Sequence, residues 1–395
     1  MSDQWVETTL GDACRSIKRG KAPKYVDEGC LVFNQKCVRD ENRIDFSFAR
    51  RTDLSRALPE YARLRVGDVL INSTGRGTLG RAAELRELPE PVTADSHVTI
   101  VRPDPERFAL GFAGLALSTR KADFESLQTG STNQTELSAS SIALVSIALP
   151  PIPAQEQIVE VIGAVDDQIS ALDDEAGALE GVYRAATSLL WCTAEGDEAE
   201  SRFLSNVMDL DVVRIPMEAG TTYRLAGVLN AGQGLVDKGE FDGADTEYTA
   251  MNVLRENQVV MRKLTAWEGP ITVVPAEFDG FVASNEFPTF TLAADIAPGW
   301  MKHVCRTPRL WAEMQSRVVG TVQRRKRLNP DQLLSVALPV PSRPEQEQAS
   351  EALDALEGQV AVIRAEAARL RKVRAALLAG LLDRTIDIES AELEV

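Results

Sequence analysis

Gln155-Glu-Gln157-Ile158 and Gln346-Glu-Gln348-Ala349 each open a long heptad run, and they lie 191 residues apart in a chain of 395. After the first, Ile158, Ile162, Val165, Ile169, Leu172, Ala176, Leu179, Tyr183, Ala186 and Leu190 follow at alternating spacings of four and three. Adding 191 gives Ala349, Leu353, Leu356, Val360, Ile363, Ala367, Leu370, Arg374, Leu377 and Leu381, apolar at every position but Arg374. Such a stripe presents one seam of a helix to a partner helix. Prolines stand just before each run (Pro150, Pro151, Pro153; Pro339, Pro341, Pro344), where proline is tolerated at a helix start and not in its interior. The spacing predicts two helices of about 38 residues, each about 57 Å long at 1.5 Å per residue.

The repeat extends outward from these helices. Ser146-Ile-Ala-Leu-Pro150 recurs as Ser335-Val-Ala-Leu-Pro339, and Gly130-Ser-Thr-Asn-Gln-Thr-Glu-Leu137 as the stretch from Gly320 to Leu328. Fainter echoes align Arg65-Val-Gly-Asp68-Val-Leu-Ile71 with Arg255-Glu-Asn-Gln258-Val-Val-Met261, and Ala94-Asp-Ser-His97 with Ala283-Ser-Asn-Glu286. A unit of about 190 residues is therefore duplicated in tandem. Short apolar runs between turn residues, such as Val69-Leu-Ile71, Val98-Thr-Ile-Val101 and Ile271-Thr-Val-Val274, predict mixed α/β or α+β domains. The boundaries read as a first domain over 1–150, a helix over 151–195, a second domain over 196–339, and a second helix with an acidic tail over 340–395.

The net charge of -16 is unevenly spread. Residues 1–150 balance 20 basic against 20 acidic side chains, whereas 151–200 hold 12 acidic and one basic. The large domains can thus still face a polyanion, and the acidic side chains of the first helix (Asp166, Asp167, Asp173, Asp174) are expected to meet a basic protein surface. No apolar run is long enough to span a bilayer and no signal-like N-terminus is seen, so a cytoplasmic protein is expected. Five scattered cysteines without a Cys-x-x-Cys, and two histidines, argue against a disulfide framework or a metal site.

Gly75-Arg-Gly77-Thr-Leu-Gly80 fits the dinucleotide pattern. Prolines at 89 and 91 leave little room for the helix that pattern needs, and the second unit has Arg262-Lys-Leu-Thr-Ala-Trp-Glu-Gly269 there instead. A strand-to-strand loop is expected. No Walker A loop and no nucleophile with a supporting base stands out, so the chain is read as non-catalytic, with no cofactor or metal of its own. Candidate nucleic-acid contacts are Arg15, Lys18, Arg19, Lys21, Asn72, Ser73, Thr74, Arg76, Arg81, Ser96, His97, Asn133 and Gln134 in the first unit. In the second they are Arg262, Lys263, Trp267, Asn285, Gln323, Arg324, Arg325 and Arg327. Cations suit phosphates, and amides and hydroxyls suit base edges; solvated surface is the competing reading for each.

Taken together, Trp5 with Leu10-Gly-Asp12, Leu64-Arg-Val-Gly-Asp68-Val-Leu-Ile71, Gly130-Ser-Thr-Asn-Gln134, Ile147-Ala-Leu-Pro-Pro151 and the two Gln-Glu-Gln runs resemble the specificity subunits of type I restriction and modification systems. The resemblance implies tandem target recognition domains joined by helices that form an antiparallel coiled coil. It also implies double-stranded DNA as ligand, with two methyltransferase subunits using S-adenosylmethionine and two restriction subunits using ATP and Mg as partners. A scaffold that binds proteins and never DNA is the rival; salt-dependent duplex binding separates the two.

Overall fold

The computed structural model describes residues 5–53, 58–88, 90–129, 136–191, 200–319 and 326–387. Two compact units emerge: Met1–Ala171 with Ala367–Val395, and Leu172–Glu366. Each therefore combines one loop-rich domain with a piece of both long helices, Ile152–Leu189 and Arg343–Asp383.

In the first unit, Val6–Thr9 pairs antiparallel with Ser146–Leu149 at the foot of the domain. One four-stranded sheet orders Cys14–Arg19, Val98–Pro103, Val69–Asn72 and Ala82–Glu84, all antiparallel. A second orders Tyr25–Val26, Arg50–Thr52, Cys30–Phe33 and Val92–Ala94, the last pair parallel. The apolar runs are explained by burial on both faces. Val69, Ile71 and Ala82 point into a core shared with the helices, while Leu70 and Ala83 point into a second core with Phe33, Val92 and Ala94.

The second unit repeats this plan. Glu200–Phe203 pairs with Ala337–Val340, and one sheet orders Met208–Leu210, Thr289–Leu292, Val259–Met261 and Ile271–Val273. Val259 and Met261 enter one core, Val260 the other. The remaining sheet has five strands, in the order Val213–Pro216, Ala250–Val253, Val282–Ala283, Thr222–Val228 and Leu235–Asp242.

The Gln-Glu-Gln signature has a structural role. Gln155, 1% exposed, accepts from Ala109 N–H at 2.9 Å and donates to the carbonyls of Arg107 (2.9 Å) and Pro150 (2.8 Å). Gln346, equally buried, accepts from Ala297 N–H at 2.7 Å and donates to Asp295 and Pro341. One amide thus ties each helix start to the strand before it and to a loop almost 50 residues away. Replacing Gln155 by alanine leaves one buried and two partly buried backbone groups without this partner, so chemical denaturation should show a loss of about 2 kcal/mol. An unchanged midpoint would remove the clamp.

Within the first unit, Ile158 and Ile162 share a core with Leu378 and Leu381. Arg374, 4% exposed at its seam position, forms a two-pronged ion pair with Asp166, its Nη2 donating to Oδ2 at 2.9 Å. Asp166, expected to face a basic partner, is instead engaged inside the chain by the cation that interrupts the apolar stripe. Within the second unit, Glu180 pairs with Arg364 at 2.5 Å, and Leu190 packs in the cluster that holds Ala349. In both units the two helical segments therefore run in opposite directions. Among the seam residues, Ile158, Ile162, Ile169, Leu172 and Leu353 are buried, and Val165, Leu179, Leu356, Val360, Ile363, Leu370 and Leu377 half-buried. No helix among the described residues is long and apolar enough to cross a membrane.

His303, fully buried in the second unit, accepts at Nδ1 from the Tyr183 hydroxyl at 2.9 Å, and its Nε2 lies 3.1 Å from Asp354. Asp354 and Glu357 could complete a metal triad with it, but Lys302 pairs with both carboxylates and Arg306 with Glu357. Burial, helped by Lys302, pushes the His303 imidazole down to about 4. Its ordinary value of 6.5 holds in the unfolded chain, so the stabilisation from keeping it neutral is complete above pH 6.5 and is lost as pH falls toward 4. Between pH 7 and 5 this group should account for a loss of about 2 kcal/mol. His303→Gln should flatten that part of the pH profile, and an unaltered profile would assign the loss elsewhere. The four described cysteines, Cys14, Cys30, Cys37 and Cys305, are free thiols, and burial pushes Cys14 and Cys305 up to about 12.

Candidate nucleic-acid interface

In the first unit most of the candidate residues gather where three segments meet at the end of Val69–Asn72, whereas Arg15 stands at the far end of its strand, beside Asp104. Asn72 N–H donates to the Arg81 carbonyl, Ser73 N–H to the His97 carbonyl and Leu137 N–H to the Ser73 carbonyl, each at 2.9 Å. The glycine pattern is a connection between the antiparallel strands Val69–Asn72 and Ala82–Glu84, so no helix N-terminus is available to cradle a pyrophosphate. Gly75 has a φ of +102°, and a Cβ there would lie 2.2 Å from Gln35 Oε1. The positive φ favours glycine at this bend, and any Cβ would also displace the tip of the Gln35 side chain.

Side chains of this cluster divide into inward and outward sets. Asn72 and Ser73 are fully buried: Asn72 Nδ2 donates to the Gln35 carbonyl at 2.9 Å, and Ser73 Oγ lies 2.5 Å from Thr99 Oγ1. Arg19 donates to the Ser96 carbonyl at 2.8 Å and pairs with Glu136, while Arg81 pairs with Asp40 at 2.8 Å and Arg15 with Asp104 at 3.1 Å. Thr74 Oγ1 lies 2.8 Å from His97 Nδ1. Lys18, Lys21, Arg76 and His97 are exposed. Below them, Asp95 accepts from His97 N–H at 2.8 Å, and burial pushes its carboxyl above the usual range.

The second unit reproduces the frame with other side chains. Arg262 N–H donates to the Pro270 carbonyl (2.9 Å), Lys263 N–H to the Glu286 carbonyl (2.9 Å) and Leu328 N–H to the Lys263 carbonyl (3.0 Å). Arg262 thus stands in the place of Asn72, Lys263 of Ser73 and Glu286 of His97. The Arg262 guanidinium is consumed internally, donating to the Leu264 carbonyl, Asn230 Oδ1, Thr265 Oγ1 and Glu268 Oε2 at 2.6–3.1 Å. It fixes the loop that carries Trp267. Arg327, half-exposed, pairs with Glu286 at 2.9 Å. Trp267 Nε1, Asn285 Oδ1 and the second oxygen of Glu286 are buried and find no hydrogen-bond partner among the described residues. Asn133, Gln134, Gln323, Arg324 and Arg325 lie outside the described residues.

Sequence reading overlooked Gln35 and Asp40, which support the first loop from a segment more than 30 residues upstream, and Asn230, which does so for the second. Their sequence neighbourhoods carry no motif that could have marked them.

Two α/β units of one plan, each holding a loop cluster at the same strand end, define a duplicated fold in which one backbone frame carries different side chains. Residues 2–176 match the family described as the type I restriction modification DNA specificity domain. Two solved structures share the fold. One is described as the type I restriction-modification system S subunit from M. genitalium: 15% identity, covering 96% of each chain, with a TM-score of 0.55. The other comes from work described as the structural basis of complex assembly and conformational transition of the type I R-M system: 15% identity, covering 97% of this chain and 98% of that one, TM-score 0.62. No curated protein matches the chain in sequence.

Proposed function

We propose that this chain is the non-catalytic DNA-reading subunit of a type I restriction-modification complex. Its two units act as tandem target recognition domains, and the two long helices act as an antiparallel coiled-coil spacer between them. One observation carries the reading: a single hydrogen-bond frame recurs in both units, held from inside by Asn72 and Ser73 in one and by Arg262 in the other, yet it turns His97 toward solvent in the first and carries Lys263 and Glu286 in the second. A constant backbone with exchanged side chains is what reading two different half-sites requires. The target is then bipartite and asymmetric, with an unread gap between its halves. Two methyltransferase subunits, which supply S-adenosylmethionine chemistry, and two restriction subunits, which use ATP and Mg, bind the repeated surfaces.

The test uses the chain assembled with its methyltransferase partner on a randomised duplex library. Arg76→Ala should change the preferred bases of one half-site and leave the other readable. A continuous palindromic site would overturn the two-reader arrangement, and a lack of salt-dependent duplex binding would favour a scaffold that binds proteins alone.

A further inference from the structure

The second sheet has four strands in the first unit and five in the second, where the hairpin of Thr222–Val228 and Leu235–Asp242 forms its outer edge. Beside this hairpin lies a cavity of about 290 Å³ whose walls include Leu225, Phe241, Tyr248, Met251 and Phe287. Lys238, Asp245, Thr246 and Ser284 add polar groups. The Lys238 stem lies across Gly227, where a Cβ would come within 2.5 Å of its Cε, and Lys238 makes no ion pair among the described residues. Phe287 is held by Asn252, itself 1% exposed, whose Nδ2 donates to the Phe287 carbonyl at 2.9 Å.

We propose that this cavity is a nucleobase site that takes one unstacked base together with its phosphate. Three aromatic side chains supply faces for a planar ring, and such stacking accepts any base. The hydroxyls of Thr246 and Ser284 and the Asp245 carboxylate provide donors and acceptors for a base edge, and Lys238 provides the cation for a phosphate. The volume falls near the lower end of small-ligand pockets, the size suited to a single nucleotide. Position supports the same ligand: Ser284 and Phe287 bracket Asn285 and Glu286, the turn that stands where His97 stands in the first unit. A base reaching the cavity from bound DNA rests on the function proposed above; a free nucleotide does not.

Two arms distinguish these sources. Uridine 5′-monophosphate is added to the full chain and followed by saturation-transfer NMR. In parallel, a bound duplex carrying 5-iodouracil at successive positions is irradiated and the crosslinked peptide mapped. The expected results are saturable transfer to the nucleotide, and a crosslink from one duplex position to the segments around Phe241, Tyr248 or Phe287. Leu225→Trp, which fills the cavity, and Lys238→Met should each reduce both signals at least tenfold. Transfer without a crosslink identifies free nucleotide as the ligand, and a crosslink without transfer identifies an extruded base. A duplex that binds while neither signal appears overturns the site, as does a partner subunit's side chain occupying the cavity. A chain that fails to bind any duplex defeats the DNA-reading function, and the nucleotide arm then decides the cavity alone.

Discussion

Asp166→Ala is expected to lower stability by about 3 kcal/mol, although it removes a half-exposed side chain from a helix rich in carboxylates. The loss comes from its partner. Arg374 is 4% exposed at a seam position otherwise occupied by aliphatic residues, and without Asp166 its guanidinium is left in that seam with the Glu41 carbonyl at 3.5 Å as a remaining acceptor. Removing both charges should act differently: Asp166→Asn with Arg374→Leu restores an apolar stripe and should lie within about 1 kcal/mol of the natural protein, or above it. What the pair then contributes is register, since one polar position among apolar ones is satisfied in a single alignment of the helices. Thermal or urea unfolding of the single and double variants checks this. A single variant as stable as the natural chain would show that Arg374 is not confined as described.

The triple change Lys18→Ala, Lys21→Ala and Arg76→Ala should cut duplex affinity at least a hundredfold in low salt and reduce the log–log salt slope by about 2 to 3. These side chains are exposed cations on the first unit, whereas Arg19 and Arg81 beside the loop cluster are already held by Glu136 and Asp40. Counterion release depends on cations free to meet phosphate. Alanine at Arg81 should therefore disturb the loop more than the slope. Fluorescence anisotropy of the assembled complex across a salt series measures both. A slope unchanged by the triple substitution would remove these residues from the phosphate contacts.

The helices and the duplication are written in local spacing, which is why they are legible without coordinates. A stripe such as Ile158, Ile162 and Ile169 depends on neighbours three and four residues away. The roles of single polar residues depend on distant partners and are not legible. Gln155 stands out as part of a repeated motif, yet its donor and one of its two acceptors lie on Ala109 and Arg107. Arg262 has the chemistry of a phosphate ligand until Asn230 and Glu268, brought in from other segments, consume its donors. Asp166 follows the same rule, since its cation is 208 residues further along the chain.

The first unit is assembled from both ends of the chain, Met1–Ala171 and Ala367–Val395, whereas the second lies wholly within Leu172–Glu366. During synthesis this inverts the usual order, in which the N-terminal domain is finished first. The core containing Ile158 and Ile162 lacks Leu378 and Leu381 until the stretch beyond Ala367 has been synthesised. At roughly 5–20 residues per second, about 195 residues between Ala171 and Ala367 impose a wait of some 10 to 40 seconds. Through that interval the apolar face of the first helix is a surface for chaperones, and the second unit, although translated later, is the one able to close first.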